Sequence, residues 1–91
     1  MDRNSRQEFA NSIRNRIEEY VREGDSLFDM FEGSIYGKDS DGNYIIGYGV
    51  DGSLNITLST ECVAFGGVES EPFSDETSSA IKEFKDSLEN C

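Results

Sequence analysis

The sequence contains no histidine and no tryptophan, one proline (Pro72), and two cysteines, Cys62 and Cys91. Each absence excludes a chemistry. Without imidazole there is no Ser–His–Asp or Cys–His arrangement, because histidine is the base that activates those nucleophiles. Zinc and iron sites need clustered thiols and imidazoles, which two widely separated cysteines do not supply. The glycines Gly47, Gly49, Gly52, Gly66 and Gly67 form neither a dinucleotide fingerprint nor a phosphate-binding loop. The segment Asp39-Ser40-Asp41-Gly42-Asn43 invites a calcium-loop reading. With Gly42 at the sixth loop position, however, Gly37 falls at the first and Tyr48 at the twelfth, where carboxylates are required. A polar hairpin turn is the better account, since Asp and Gly are favoured in turns for local reasons. No catalytic residue, metal ligand or cofactor is therefore assigned, and the protein is expected not to be an enzyme. Among 19 acids some carboxylates will be neighbours by chance, so paired acids alone do not alter that expectation.

Long apolar runs are missing too. None approaches the roughly 20 residues of a membrane-spanning helix. Residues 1–6, Met-Asp-Arg-Asn-Ser-Arg, lead into an amphipathic segment rather than an apolar leader. These features predict a cytoplasmic location (host cytoplasm if phage-encoded). Both cysteines are then expected to be reduced, Cys62 as a buried thiol and Cys91 exposed, with a bridge between them as the minority alternative.

Basic residues are the next scarcity. Nineteen acids face eight bases, a net charge of −11. The imbalance is uneven. Residues 1–22 carry all five arginines (Arg3, Arg6, Arg14, Arg16, Arg22) against four acids, for +1. Residues 23–91 carry three lysines (Lys38, Lys82, Lys85) against 15 acids, for −12. Such a field repels nucleic acids and anionic membranes, whose binding needs cations to neutralise phosphates. It attracts basic protein surfaces and speeds encounter with them. Solubility alone is the simpler account of an acidic chain.

What is present is patterning. Phe9, Ile13, Ile17, Tyr20 and Val21 make one apolar stripe at helical spacing over residues 5–23. Ser5 with Glu8, or Asn4 with Gln7, fits a capping box, and Gly24 a stop. Residues 25–29 have no clear period and are taken as a connector. Strands are predicted at 30–37, at 43–50 and at 53–62, with Asp51-Gly52 as a two-residue hairpin turn. In the last of these, Leu54, Ile56, Leu58, Thr60 and Cys62 alternate with water-facing Asn55, Thr57, Ser59 and Glu61. Residues 63–65 continue it or begin a fourth strand. Residues 68–74 are an acidic loop. Ser74 caps a second helix, with Asp75 and Glu76 in its first turn and Thr77, Ala80, Ile81, Phe84, Leu88 and Cys91 on its stripe. Gly47-Tyr48-Gly49 inside a strand points to close packing against one sheet face. Phe28, Phe31, Phe65 and Phe84 are assigned to the core.

The predicted architecture is α+β: one domain of two layers, helix, three- or four-stranded antiparallel meander, helix, with both helices on one face of the sheet. The carboxylates of Asp39, Asp41, Asp51, Glu61, Glu69, Glu71, Asp75, Glu76, Glu83 and Asp86 are expected to form a partner-binding acidic face. Tyr36, Tyr44 and Tyr48 are candidate aromatic anchors on the sheet surface. Carboxylates spread over such a surface imitate a row of phosphates. The expected function is that of a small acidic inhibitor. It would block the basic nucleic-acid site of a nucleic-acid-binding protein or nuclease complex without binding nucleic acid itself. That is the physical type of phage anti-CRISPR and anti-restriction proteins, although no family motif is matched. The alternatives are an immunity or antitoxin-like protein capping a basic toxin enzyme, and a homo-oligomeric scaffold using an open sheet face or strand edge. The sequence leaves the oligomeric state open.

Overall fold

The computed structural model describes residues 2–31, 33–48 and 54–90. The first helix, α1, spans Arg3–Arg22 and begins earlier than the capping-box pattern suggests. Asp2 is the N-cap, its Oδ1 accepting from the Ser5 amide at 2.7 Å. Asp, Asn and Ser are nearly equivalent as caps, so the pattern alone does not fix the first residue. In the first turns Arg6 donates to the Gly66 carbonyl and Gln7 to the Glu69 carbonyl. At the other end the Gly24 amide bonds to Val21 O and the Asp25 amide to Tyr20 O. This pair of bonds is the Schellman motif expected where Gly24 stops the helix.

Residues 25–31 depart from the sequence expectation. Leu27–Phe31 is a short helix, α2, not a connector running into a strand. Leu27 and Phe31, four apart, are both buried. One helical turn has no stability of its own, so it is held by packing against α1 and α3 (below). The strand predicted at 30–37 is reduced to β1, Ile35–Lys38. It is followed by β2, Tyr44–Tyr48, and β3, Leu54–Leu58. In the turn between β1 and β2, Asp39 Oδ1 accepts from the Asp41 amide at 3.0 Å and the Asn43 amide at 2.9 Å. This is the local hairpin role assigned to it. The predicted Asp51-Gly52 turn lies outside the described residues.

The sheet has five strands in the order β1-β2-β3-β4-β5, all antiparallel, rather than three or four. The long third strand is broken after Leu58. The Ser59 hydroxyl accepts from the Glu61 amide at 3.2 Å and the Cys62 amide at 3.1 Å, closing a tight turn. Polar residues alternating with Thr60 and Cys62 look the same in sequence whether they face water on a strand or form a turn. The chain returns as β4, Val63–Phe65, with Val63 opposite Leu58. Gly66 and Gly67, both at positive φ, then reverse it into β5, Val68–Glu69, where an acidic loop was expected. Positive φ at both central positions is what a tight two-residue hairpin requires. The last helix, α3, spans Asp75–Glu89 and is capped by Ser74 as predicted.

Tyr44, Ile46, Ile56, Leu58 and Val63 from the sheet meet Ile13 and Ile17 of α1, Leu27 and Phe31 of α2, and Ile81 and Phe84 of α3 in one core. All three helices therefore lie on one face of the sheet. Phe31 and Phe84 are buried and Phe65 half-buried, as expected, but Phe28 is 43% exposed. Among the described residues no helix is long and apolar enough to cross a membrane.

Candidate functional site: an acidic edge

The direction of α3 decides where the carboxylates go. Near its start, the Ser78 hydroxyl donates to the Thr60 carbonyl at 2.6 Å, and the Phe73 amide donates to the Glu61 carbonyl at 2.8 Å. Near its end, Lys38 Nζ pairs with Glu89 at 2.7 Å and Lys85 reaches the Asn43 side chain at 3.4 Å. The helix thus runs across the strand ends, from the β3–β4 turn to the β1–β2 turn. Three separate stretches of sequence are brought onto one edge of the molecule. The β1–β2 turn contributes Asp39 and Asp41, the β3–β4 turn contributes Glu61, and α3 contributes Asp75, Glu76 and Asp86, whereas Glu83 faces the end of α1 and α2 instead. Glu61 lies in that turn, not on a strand, and is exposed. Glu69 and Glu71 extend the edge along β5 and the segment after it. Asp51 lies outside the described residues.

Asp39 is half-buried and the other described acids of this edge are exposed. Among the described residues two ion pairs occur, Arg14–Glu18 at 3.7 Å and Lys38–Glu89. Neither uses an acid of the predicted set. The Lys38 partnership keeps Glu89 below the ordinary carboxylate range and Lys38 above its own ordinary value, in each case chiefly through the hydrogen bond between them.

Glu69 differs from its neighbours because Cys62 Sγ donates to its Oε2 at 3.1 Å. Burial first, and then this carboxylate, push the thiol up to about 11. A thiol so raised is protonated at neutral pH and a poor nucleophile. Cys62 is buried and unbridged, while Cys91 lies outside the described residues.

The tyrosines separate. Tyr44 is 7% exposed and belongs to the core, which removes it as a surface anchor. It alternates with Ile46 on the helix-covered face, a polarity of strand direction that period-two spacing alone does not assign. Tyr48 is half-buried on that same face, its ring edge-on to Phe9 and its hydroxyl bonded to the Arg16 guanidinium. Tyr36 alone of the three lies out on the opposite face, 61% exposed. It is the extra residue of a bulge in β1, and its ring covers Gly47 so closely that a Cβ there would sit 2.6 Å from it. Gly47 thereby fulfils the close-packing role expected of a strand glycine.

Among the described residues no group of histidine, cysteine or carboxylate side chains is arranged to hold a metal ion. The fold is a helix, a five-stranded antiparallel meander and a closing helix, an α+β architecture of two layers. No protein-family model, curated protein or solved structure matches the chain.

Proposed function

We propose that the protein is a binder of basic protein surfaces rather than an enzyme. Its acidic edge would occupy the nucleic-acid site of its partner in the manner of a phosphate mimic. One observation carries the reading: α3 runs from one acidic turn to another, and among the described residues none of the predicted carboxylates of those turns or of α3 is in an ion pair. Charges left in this state keep their full field for a partner. Arg6, Arg14 and Arg16 of α1 are by contrast hydrogen-bonded within the molecule. A phage-encoded inhibitor of a nuclease complex and an immunity protein capping a basic toxin share this physics. The exposed Tyr36 and the open edge of β1 favour a third reading, self-association through the sheet.

The test is capture from lysate on the immobilised full chain at low salt, eluted by a salt gradient. A nucleic-acid-binding partner, displaced by its own nucleic acid and released steeply with salt, is the expected result. A toxin enzyme as the main captured species selects the immunity reading. Partner binding that is insensitive to salt, or that leaves nucleic acid bound at the same site, defeats the mimic. Light scattering on the purified chain decides the oligomeric reading.

A further inference from the structure

A groove of about 290 Å³ opens between the end of α1, α2 and α3. It lies on the helical side, away from the two turns that complete the acidic edge. Its walls include Val21, Leu27, Phe28, Ala80 and Phe84. The Phe28 ring stands edge-on to Phe84 with centroids 4.8 Å apart, so it is held in place although 43% of the residue is exposed. Edge-to-face aromatic pairs are a favoured geometry that fixes ring orientation. An aromatic fixed at the surface of a one-turn helix presents apolar area without the ordering cost that a loose side chain would bring.

Among the described residues, the charged groups in the lining are Asp25 and Glu83, both exposed carboxylates, and no lysine or arginine lines the groove. Its volume is at the lower bound of small-molecule pockets, about 300 Å³, which suits one or two inserted side chains. An apolar floor flanked by carboxylates is complementary to an amphipathic helix whose apolar stripe is bordered by lysine or arginine. We propose that this groove docks a cationic amphipathic helix of a partner protein, with Phe28 as the aromatic anchor. The inference rests on the reading of the protein as a binder of basic surfaces, but it moves the specific contact from the acidic edge to the groove. The edge attracts, and the groove selects.

The absence of tryptophan from the chain supplies the probe. Two synthetic peptides of about 18 residues, long enough to form a helix, would be built from leucine and lysine with one tryptophan each. One places leucines and tryptophan on a single helical stripe, and the other scrambles the same composition. Added to the full chain, the striped peptide should show a blue-shifted indole emission and bind at least tenfold more tightly than the scrambled one. Phe28→Ala should weaken it about tenfold, as an anchor truncation does. Glu83→Lys should weaken it a few-fold more than the scrambled peptide, and Asp41→Lys, at the β1–β2 turn, should weaken both peptides by the same factor. Circular dichroism confirms that each variant is folded, and the exposed Glu83 keeps the test valid should Phe28→Ala not fold.

If both peptides bind equally and neither Phe28→Ala nor Glu83→Lys discriminates between them, the groove assignment is overturned while the acidic edge stands. If neither peptide binds even at low salt, both fall. A dimer of the peptide-free chain that Phe28→Ala converts to a monomer would overturn the assignment in favour of a second copy as occupant.

Discussion

Helices α1 and α3 pack on the same face of the same sheet, yet they use their charges in opposite ways. Arg6 donates to the Gly66 carbonyl, Arg14 to the Pro72 carbonyl at 2.8 Å, and Arg16 to the Tyr48 hydroxyl. These guanidiniums hold down the β4–β5 hairpin, the segment leading to α3, and the sheet. Glu18 of α1 is 8% exposed and accepts from the Ser74 amide at 2.7 Å and the Ser74 hydroxyl at 2.9 Å. It therefore secures the cap of α3. Burial opposes its ionisation. The bonds from Ser74 and Thr77, with Arg14 beside it, outweigh burial and hold the carboxyl below the ordinary glutamate range. Apart from Glu89, which pairs with Lys38, the acids of α3 have no such employment among the described residues: Asp75, Glu76, Glu83 and Asp86 are all exposed. Arg6, Arg14, Arg16 and Glu18 make the charge of α1 largely structural, whereas most acids of α3 are left for solvent or a partner. A single net charge of −11 conceals that division.

The comparison holds only if the apolar stripes of both helices matter equally. Ile17→Ala and Ile81→Ala should each cost about 2–5 kcal/mol, since both side chains are fully buried and large-to-small core changes cost that much. Urea melts measure this, and a loss below about 1 kcal/mol for Ile81 would show α3 to be only loosely docked.

Glu69 sits on the border between the two kinds of carboxylate. With the Cys62 thiol raised to about 11 against about 8.5 for a free thiol, alkylation at pH 8 should be about two orders of magnitude slower in the folded chain than in denaturant. Rates with iodoacetamide in a Cys91→Ser background test it. Glu69→Gln should accelerate the folded-state reaction while burial keeps it below the unfolded rate.

Glu18→Ala should cost about 1–3 kcal/mol, because the α3 cap loses a charged acceptor that is nearly out of water. In a domain of this size each kcal/mol lowers the melting temperature by about 4–8 °C. The pH dependence follows in sign. A carboxyl held below its unfolded value, about 4.3, contributes stability above that pH and loses it as pH falls through the lower folded value. Wild type should thus lose more stability between pH 7 and pH 3 than Glu18→Gln does, as read by thermal melts. Equal losses would mean that Glu18 is not a structural acid.

The smallest effect completes the contrast. Glu83→Ala and Asp86→Ala should change stability by no more than about 0.5 kcal/mol, as exposed residues whose carboxylates are in no ion pair among the described residues. The same changes should weaken capture of a basic partner. A stability loss comparable to that of Glu18→Ala would erase the distinction between the helices.

Much of the fold was legible from local chemistry. The stripes of α1 and α3, the Ser74 cap, the Gly24 stop and the Asp39 turn rest on side chains within a few residues of one another. The errors share a cause. Residues 27–31 are helical because Leu27 and Phe31 find a core, and Ser59 breaks a strand through a hydroxyl that bonds two amides beyond it. Tyr44 was misplaced because alternation gives two faces without saying which is covered. Apolarity alone predicts Phe28 in the core, whereas its neighbour in the fold, Phe84, leaves one side of the ring open.

The sequence by itself determined the charge asymmetry, the two long helices, the meander between them and the chemistries that lack of histidine rules out. These depend on composition and on contacts within a turn or two. Only the tertiary structure decided which acidic turns lie beside α3, because that helix crosses the strand ends and joins turns some twenty residues apart in sequence. It also decided that Arg6, Arg14 and Arg16 are engaged internally, through hydrogen bonds spanning up to 60 residues between Arg6 and Gly66. Whether a charge is spent or free depends on its distance to an opposite partner in space, and that is fixed only when the chain has closed on its core.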